Sequence, residues 1–286
     1  MTGLSRTSTI SFPGLGIGPF KVDSVALSIG SIHIAWYALI ITTGIISCFF
    51  YIAWRGKEIK LSTDDLIDIG LPTVFFGIIG ARLYYVLTTI REGYYSSFLD
   101  VIAIWNGGLA IYGGLIAGAI TVLVMTRVKK VKFMPFADCV CPSLLLAQAI
   151  GRWGNFMNGE AFGSETEIFC RMGLSNDLTG YQTIYVHPTF LYESLWNILG
   201  FTLINLFYRH RRYDGQVFHM TFAWYGFGRM FIELLRTDSL YISSHHAWYT
   251  KISVLVGFGF FVACTALITV KLIRIHQGKE KGREKL

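Results

Sequence analysis

The sequence predicts an all-α polytopic membrane protein with about seven transmembrane helices, N-terminus outside and C-terminus cytoplasmic, plus a small extracytoplasmic segment. Three observations predict it. Of 286 residues, 53% are hydrophobic and only 15% are charged, whereas soluble domains average about 25% charged. That balance excludes an ordinary cytosolic enzyme and a disordered chain. Residues 107–126 run without a charge, long enough to cross a hydrocarbon core of ~30 Å. Finally, the basic residues alternate along the chain in a way that fixes orientation.

Residues 1–31 read as an outer interfacial segment of short apolar stretches and glycines. Its GLGIG run is not a dinucleotide fingerprint, because no βαβ unit follows. The first apolar run starts too late and runs too long to be a cleavable signal peptide. Seven spans follow, at about 32–54, 66–89, 107–126, 133–153, 187–208, 216–236 and 247–273. Ser62-x-x-Asp65 reads as the cap of the second helix. Basic clusters at Arg55/Lys57/Lys60, Arg127/Lys129/Lys130/Lys132, Arg209/Arg211/Arg212 and from Lys271 onward hold sixteen of the 25 Lys and Arg, and they follow spans one, three, five and seven. The positive-inside rule places these clusters in the cytoplasm. The whole chain, 1–286, therefore reads as one integral membrane domain: spans one to four over 32–155, an outer loop or head over 156–186, spans five to seven over 187–273, and a cytoplasmic tail over 274–286.

The net charge of +7 is topological on this reading and needs no nucleic-acid partner. The five cysteines read as packing residues: only Cys170 falls in an outer segment, and no pair shows zinc spacing. HExxH and GxSxG motifs are missing from the sequence, so no metal site, cofactor site or serine-hydrolase elbow is expected.

Ionisable residues within spans are costly and mark function by default. Here their depths agree. Arg82 lies in the outer half of span two, Arg152 at the outer end of span four, Glu193 near the outer start of span five, and Arg229 and Glu233 in the outer half of span six. Tyr37 and Tyr112 enter from the same side. Arg229, Glu233 and Arg236 fall at i, i+4 and i+7, one helical face. In GRWGNFMNGE, Arg152 and Asn155 share a face, and glycines and asparagines then end the helix just before Glu160. Arginine's planar fork suits phosphate oxygens, and a phospholipid headgroup is the anion available at that depth. Two readings stay open on residues alone: an enzyme acting on an anionic lipid, or a transporter of a phosphate-bearing anion using the same arginines. The inner halves of the spans hold few charges beyond Asp68 and Asp138, which weakens the transporter.

GRWGNFMNGE closely resembles the signature of the bacterial prolipoprotein diacylglyceryl transferases. IAWYAL around Tyr37, GARLYY from Gly80, HPTFLYE from His187 and YGFGRMFIELLR from Tyr225 resemble that family in the expected order. The resemblance implies a multi-pass enzyme of the bacterial cytoplasmic membrane, its active site toward the outer leaflet. It would transfer the diacylglyceryl group of phosphatidylglycerol to the lipobox cysteine of a lipoprotein precursor, forming a thioether and releasing glycerol phosphate. It implies Arg152, Arg229 and Asn155 at the headgroup, with Glu160, Tyr37 and Tyr112 also in the catalytic set. Glu233, Arg236, Arg82, Glu193 and His187 would support them. One departure stands out. Many members open an HGGL motif with histidine where this chain has Tyr112 in YGGL, and a phenol of pKa near 10 is a poor base at neutral pH.

Overall fold

The computed structural model describes residues 6–30, 32–90, 95, 97–104, 107–241 and 248–278. The α-helices among these residues are α1 (Trp36–Gly56), α2 (Thr63–Thr89), the short α3 (Phe98–Ile102), α4 (Ile111–Val128), α5 (Phe133–Asn158), α6 (Thr189–Phe207), α7 (Gln216–Leu235) and α8 (Ile252–His276). The chain is a polytopic membrane protein. Each expected span coincides with a long helix, and six of these helices are long and apolar enough to cross a bilayer. The exception is α7, whose Gln216, His219, Arg229 and Glu233 make it more polar.

The chain divides into two compact units. The first, Tyr51–Phe136, pairs α2 with α4. Ser62 caps α2 as expected, its side chain accepting the Asp65 N–H at 2.9 Å. A seam of small residues joins the two helices: a Cβ on Gly80 would stand 2.7 Å from the Gly113 carbonyl oxygen. Only glycine allows backbones that close. The glycines of α4 therefore serve packing against α2.

The second unit comprises Ser5–Phe50 and Ala137–Leu286. Here α1 lies on α5 through glycines, with Gly44 against Ala147 and Gly154 beneath the Tyr37 ring. Helices α6 and α7 are joined by a reciprocal tryptophan pair. Trp196 and Trp224 stack with centroids 4.3 Å apart. Each indole N–H donates to the other's backbone carbonyl, at 3.2 Å from Trp196 and 3.0 Å from Trp224. Each ring also occupies the space over a glycine one turn along the partner helix, Trp224 over Gly200 and Trp196 over Gly228. A Trp-x₃-Gly spacing present in both helices thus fixes their register. At the other end of α7, fully buried Asp138 accepts from the N–H groups of Gly215 (2.7 Å) and Phe218 (2.8 Å). A carboxylate from α5 thereby satisfies orphan donors at a helix start.

Sequence reasoning placed no strands in this chain. Among the described residues there are six, β1 (Thr7–Phe12), β2 (Ile17–Asp23), β3 (Val25–Ile29), β4 (Ile32–Ala35), β5 (Met172–Ser175) and β6 (Ile184–Val186). β3 and β4 form a hairpin leading into α1, and the other four form an antiparallel sheet ordered β2-β1-β5-β6. Most of the described part of the expected outer interfacial segment is therefore strand. Ser8 and Ile10 alternate inward along β1, the period-two pattern of a half-buried strand, but its partner β5 comes from more than 160 residues later. Ile10, Val22, Met172, Leu174 and Val186 form the inner face and pack with Phe190 of α6 and Phe156 at the end of α5. This sheet, called the head below, thus sits on the two helix ends that carry the candidate site.

Candidate functional site

Within the second unit, the residues expected from spans four, five and six meet. Arg152 projects from the last turns of α5, donates to Asn155 Oδ1 at 3.0 Å one turn on, and reaches Glu193 Oε1 on α6 at 2.8 Å. The second oxygen of Glu193 accepts from Arg229 on α7 at 3.1 Å. Arg229 also pairs with Glu233 one turn along its own helix, at 2.6 Å. One carboxylate thus bridges two guanidiniums, and the quartet is formally neutral. Burial of charge on this scale is tolerated only with such pairing. The Glu193 side chain is 4% exposed, whereas that of Arg152 is 21% exposed, so the network opens outward on the Arg152 side.

Glu160 lies just past the end of α5 and accepts from Asn158 Nδ2 at 2.9 Å and Asn155 Nδ2 at 3.2 Å. Asn155 therefore stands between Arg152, which it accepts from, and Glu160, which it donates to. The Tyr37 ring packs on Gly154, where a Cβ would come within 2.7 Å of its Cδ2. The chain after α5 then turns back under His187, whose backbone N–H donates to the Ser164 carbonyl and whose carbonyl accepts from Gly163, both at 3.0 Å. The His187 ring meets the Tyr192 hydroxyl through Nδ1 at 3.3 Å. These contacts fix the loop and the start of α6.

Arg236 caps α7, which ends at Leu235; its backbone N–H still bonds the Glu233 carbonyl, and its guanidinium makes two bonds to Asp238, at 2.9 and 2.7 Å. Burial works against the Asp238 charge, but the Arg236 guanidinium more than offsets it and holds the carboxyl below its ordinary value. Sequence reasoning missed Lys251. Its buried ammonium donates to the carbonyls of Glu233 (2.8 Å) and Arg236 (2.9 Å), closing the C-terminus of α7 where unsatisfied carbonyls and the helix dipole favour a cation.

Arg82 and Tyr112 belong to the first unit. The Arg82 guanidinium is saturated by main chain, reaching the carbonyls of Asp100 (2.6 Å), Val101 (2.8 Å), Gly107 (2.7 Å) and Gly108 (3.0 Å). Gly108 has φ +75° and no room for a Cβ beside Arg82, so the loop can close on the arginine only with glycine there. Tyr112 follows in the first turn of α4, whose entry is pinned by Ala110 N–H to the Ala81 carbonyl at 3.0 Å.

Comparison with known proteins places this arrangement. Residues 24–270 match the family described as prolipoprotein diacylglyceryl transferase. A phosphatidylglycerol–prolipoprotein diacylglyceryl transferase of Streptococcus pneumoniae (strain JJA) is 42% identical over 247 residues, covering 84% of this chain and 93% of that protein. Proteins of the same name from Listeria welshimeri and Listeria innocua are 41% and 40% identical, each over 79% of this chain and 83% of theirs. The family match runs from before α1 into α8 and spans every residue of the arginine–glutamate network. The chain belongs to the prolipoprotein diacylglyceryl transferase family.

Proposed function

We propose that this chain transfers the diacylglyceryl group of phosphatidylglycerol to the lipobox cysteine thiol of lipoprotein precursors, at a site facing the outer leaflet of the bacterial cytoplasmic membrane. The observation that carries the reading is the bridged arginine pair, Arg152–Glu193–Arg229, in a chain whose relatives are named for this donor and this acceptor.

The chemistry calls for what these residues supply. The thiol gives up its proton, and its sulfur forms a bond to the terminal glycerol carbon of the lipid. The bond from that carbon to the phosphate-ester oxygen breaks, and its electron pair stays on the oxygen. Negative charge therefore moves from sulfur to phosphate, and the departing glycerol phosphate carries one charge more than the phosphodiester did. Arg152 and Arg229 meet that charge as cations held in place before the reaction, which avoids reorganisation in a site poor in water. Glu193 orients both guanidiniums, and Asn155 links Arg152 to Glu160. Glu160 takes the thiol proton, since free cysteine with pKa ~8.5 is mostly protonated at neutral pH. Tyr37 lines the site over Gly154. The nucleophile is the substrate's, so none of the five cysteines takes part.

Purified protein, phosphatidylglycerol and a lipobox peptide are expected to give a peptide heavier by one diacylglyceryl group, with glycerol phosphate released. An unmodified peptide, with anion uptake into vesicles holding the protein, would replace this reading with the transporter.

A further inference from the structure

The turn that delivers Glu160 is held by the head sheet rather than by the helix it ends. α5 stops at Asn158, and the next residue, Gly159, adopts φ +59°. Its carbonyl accepts from Asn176 Nδ2 at 2.8 Å, and the same amide donates to Ser8 Oγ at 3.1 Å. Asn176 and Ser8 are both fully buried. A Cβ on Gly159 would collide with both side chains, standing 2.6 Å from Asn176 Nδ2. Asn176 Oδ1 in turn accepts from Leu178 N–H at 3.0 Å. One residue earlier, Arg6 donates to the Asn158 carbonyl at 3.2 Å. The guanidinium of Arg6 pairs with Asp177 at 2.6 Å and comes within 3.9 Å of Glu160 itself.

Two side chains, Arg6 from just before β1 and Asn176 from just after β5, therefore bond the two peptide units before Glu160, and Ser8 of β1 holds the Asn176 amide. Arg6 and Ser8 precede the residues that match the family. Arg152, Glu193, Arg229 and Glu233 are held directly by one another across α5, α6 and α7, and Arg152 reaches Glu160 through Asn155.

We infer that Arg6, Ser8 and Asn176 are positioning residues for Glu160, so that the head sheet sets the placement of the group that takes the thiol proton. The inference rests on the role proposed for Glu160. It separates two parts of the site: α5, α6 and α7 fix the headgroup cations, and the head fixes the carboxylate.

The test is a double-mutant cycle on the full-length protein, with kcat and KM for phosphatidylglycerol measured per folded enzyme. Arg6→Gln and Asn176→Ala are each expected to lower kcat on the order of tenfold to a hundredfold, the scale of a misplacement near 1 Å, with KM for phosphatidylglycerol unchanged. Arg6→Lys, which keeps a cation near Asp177 and Glu160, is expected to fall between Arg6→Gln and the wild type. In a Glu160→Ala background neither substitution should lower kcat further, because both act through that carboxylate. Equal losses in both backgrounds, or a loss only in folded yield with kcat intact, would overturn the inference. Absence of product from the wild-type protein would instead overturn the proposed function, and that outcome is read independently.

Discussion

Glu193→Gln tests the bridged arginine pair most sharply, because it changes charge while nearly preserving shape. Glu193 accepts one charge-assisted bond from Arg152 at 2.8 Å and one from Arg229 at 3.1 Å, each contributing about 1.5–3 kcal/mol. A glutamine oxygen keeps one partner in a weaker bond, assisted by the guanidinium charge alone. Its amide nitrogen faces the other guanidinium donor to donor, and that bond is lost. The sum is about 2–4 kcal/mol of lost orientation, on the order of a hundredfold in kcat. Binding should move the other way. The quartet of two arginines and two glutamates goes from neutral to a net positive charge, so KM for the anionic lipid holds or falls. The assay is steady-state transfer to a lipobox peptide from phosphatidylglycerol in mixed micelles, alongside thermal unfolding to normalise for folded enzyme. An unchanged kcat, or a higher KM with kcat intact, would refute the reasoning: Glu193 would then be only a charge partner for burial.

Arg152→Ala should reduce kcat by ~10²–10³ through loss of a preorganised donor, checked in the same assay. Asp138→Ala leaves the Gly215 and Phe218 N–H groups without their acceptor, and thermal unfolding in detergent is expected to show a loss of about 1–3 kcal/mol. In a double-mutant cycle of Trp196→Phe and Trp224→Phe, each single substitution loses its own indole bond to a backbone carbonyl, and the stacked ring pair should appear as coupling of about 0.5–3 kcal/mol; strictly additive losses would mean the stacking does not hold α6 to α7. Asp238, held below its ordinary value of 3.8, should contribute stability that is fully present above that pH and is lost as pH falls through the native value, because the unfolded chain then binds the proton first. Asp238→Asn should therefore melt lower than the wild type at neutral pH and match it in strong acid.

What the sequence disclosed, and what it withheld, follows from the range of the interactions involved. Spans were legible because a bilayer demands long apolar runs, and charged residues inside them stand out, so Arg152, Glu193, Arg229 and Glu233 could be assigned to one depth before any contact was seen. Local geometry was legible too: the Ser62 cap, and the Arg152–Asn155 pairing one turn apart. The head sheet was not, because β1 finds β5 across most of the chain and four-residue strands carry little pattern. Arg6, Ser8 and Asn176 were missed with it. Lys251 was missed because nothing local in the sequence says that it closes another helix. The paired Trp-x₃-Gly spacings of 196–200 and 224–228 are the one overlooked signal that the sequence did hold.

The central claim is that sulfur displaces the headgroup phosphate from carbon, and an isotope experiment tests it directly. Phosphatidylglycerol carrying oxygen-18 in the bond between the diacylglyceryl carbon and phosphate is incubated with the protein and a lipobox peptide, and both products are weighed by mass spectrometry. The account predicts an unlabelled diacylglyceryl thioether on the peptide cysteine and the full label in glycerol phosphate. Label in the modified peptide, or a peptide that gains no mass, would contradict it.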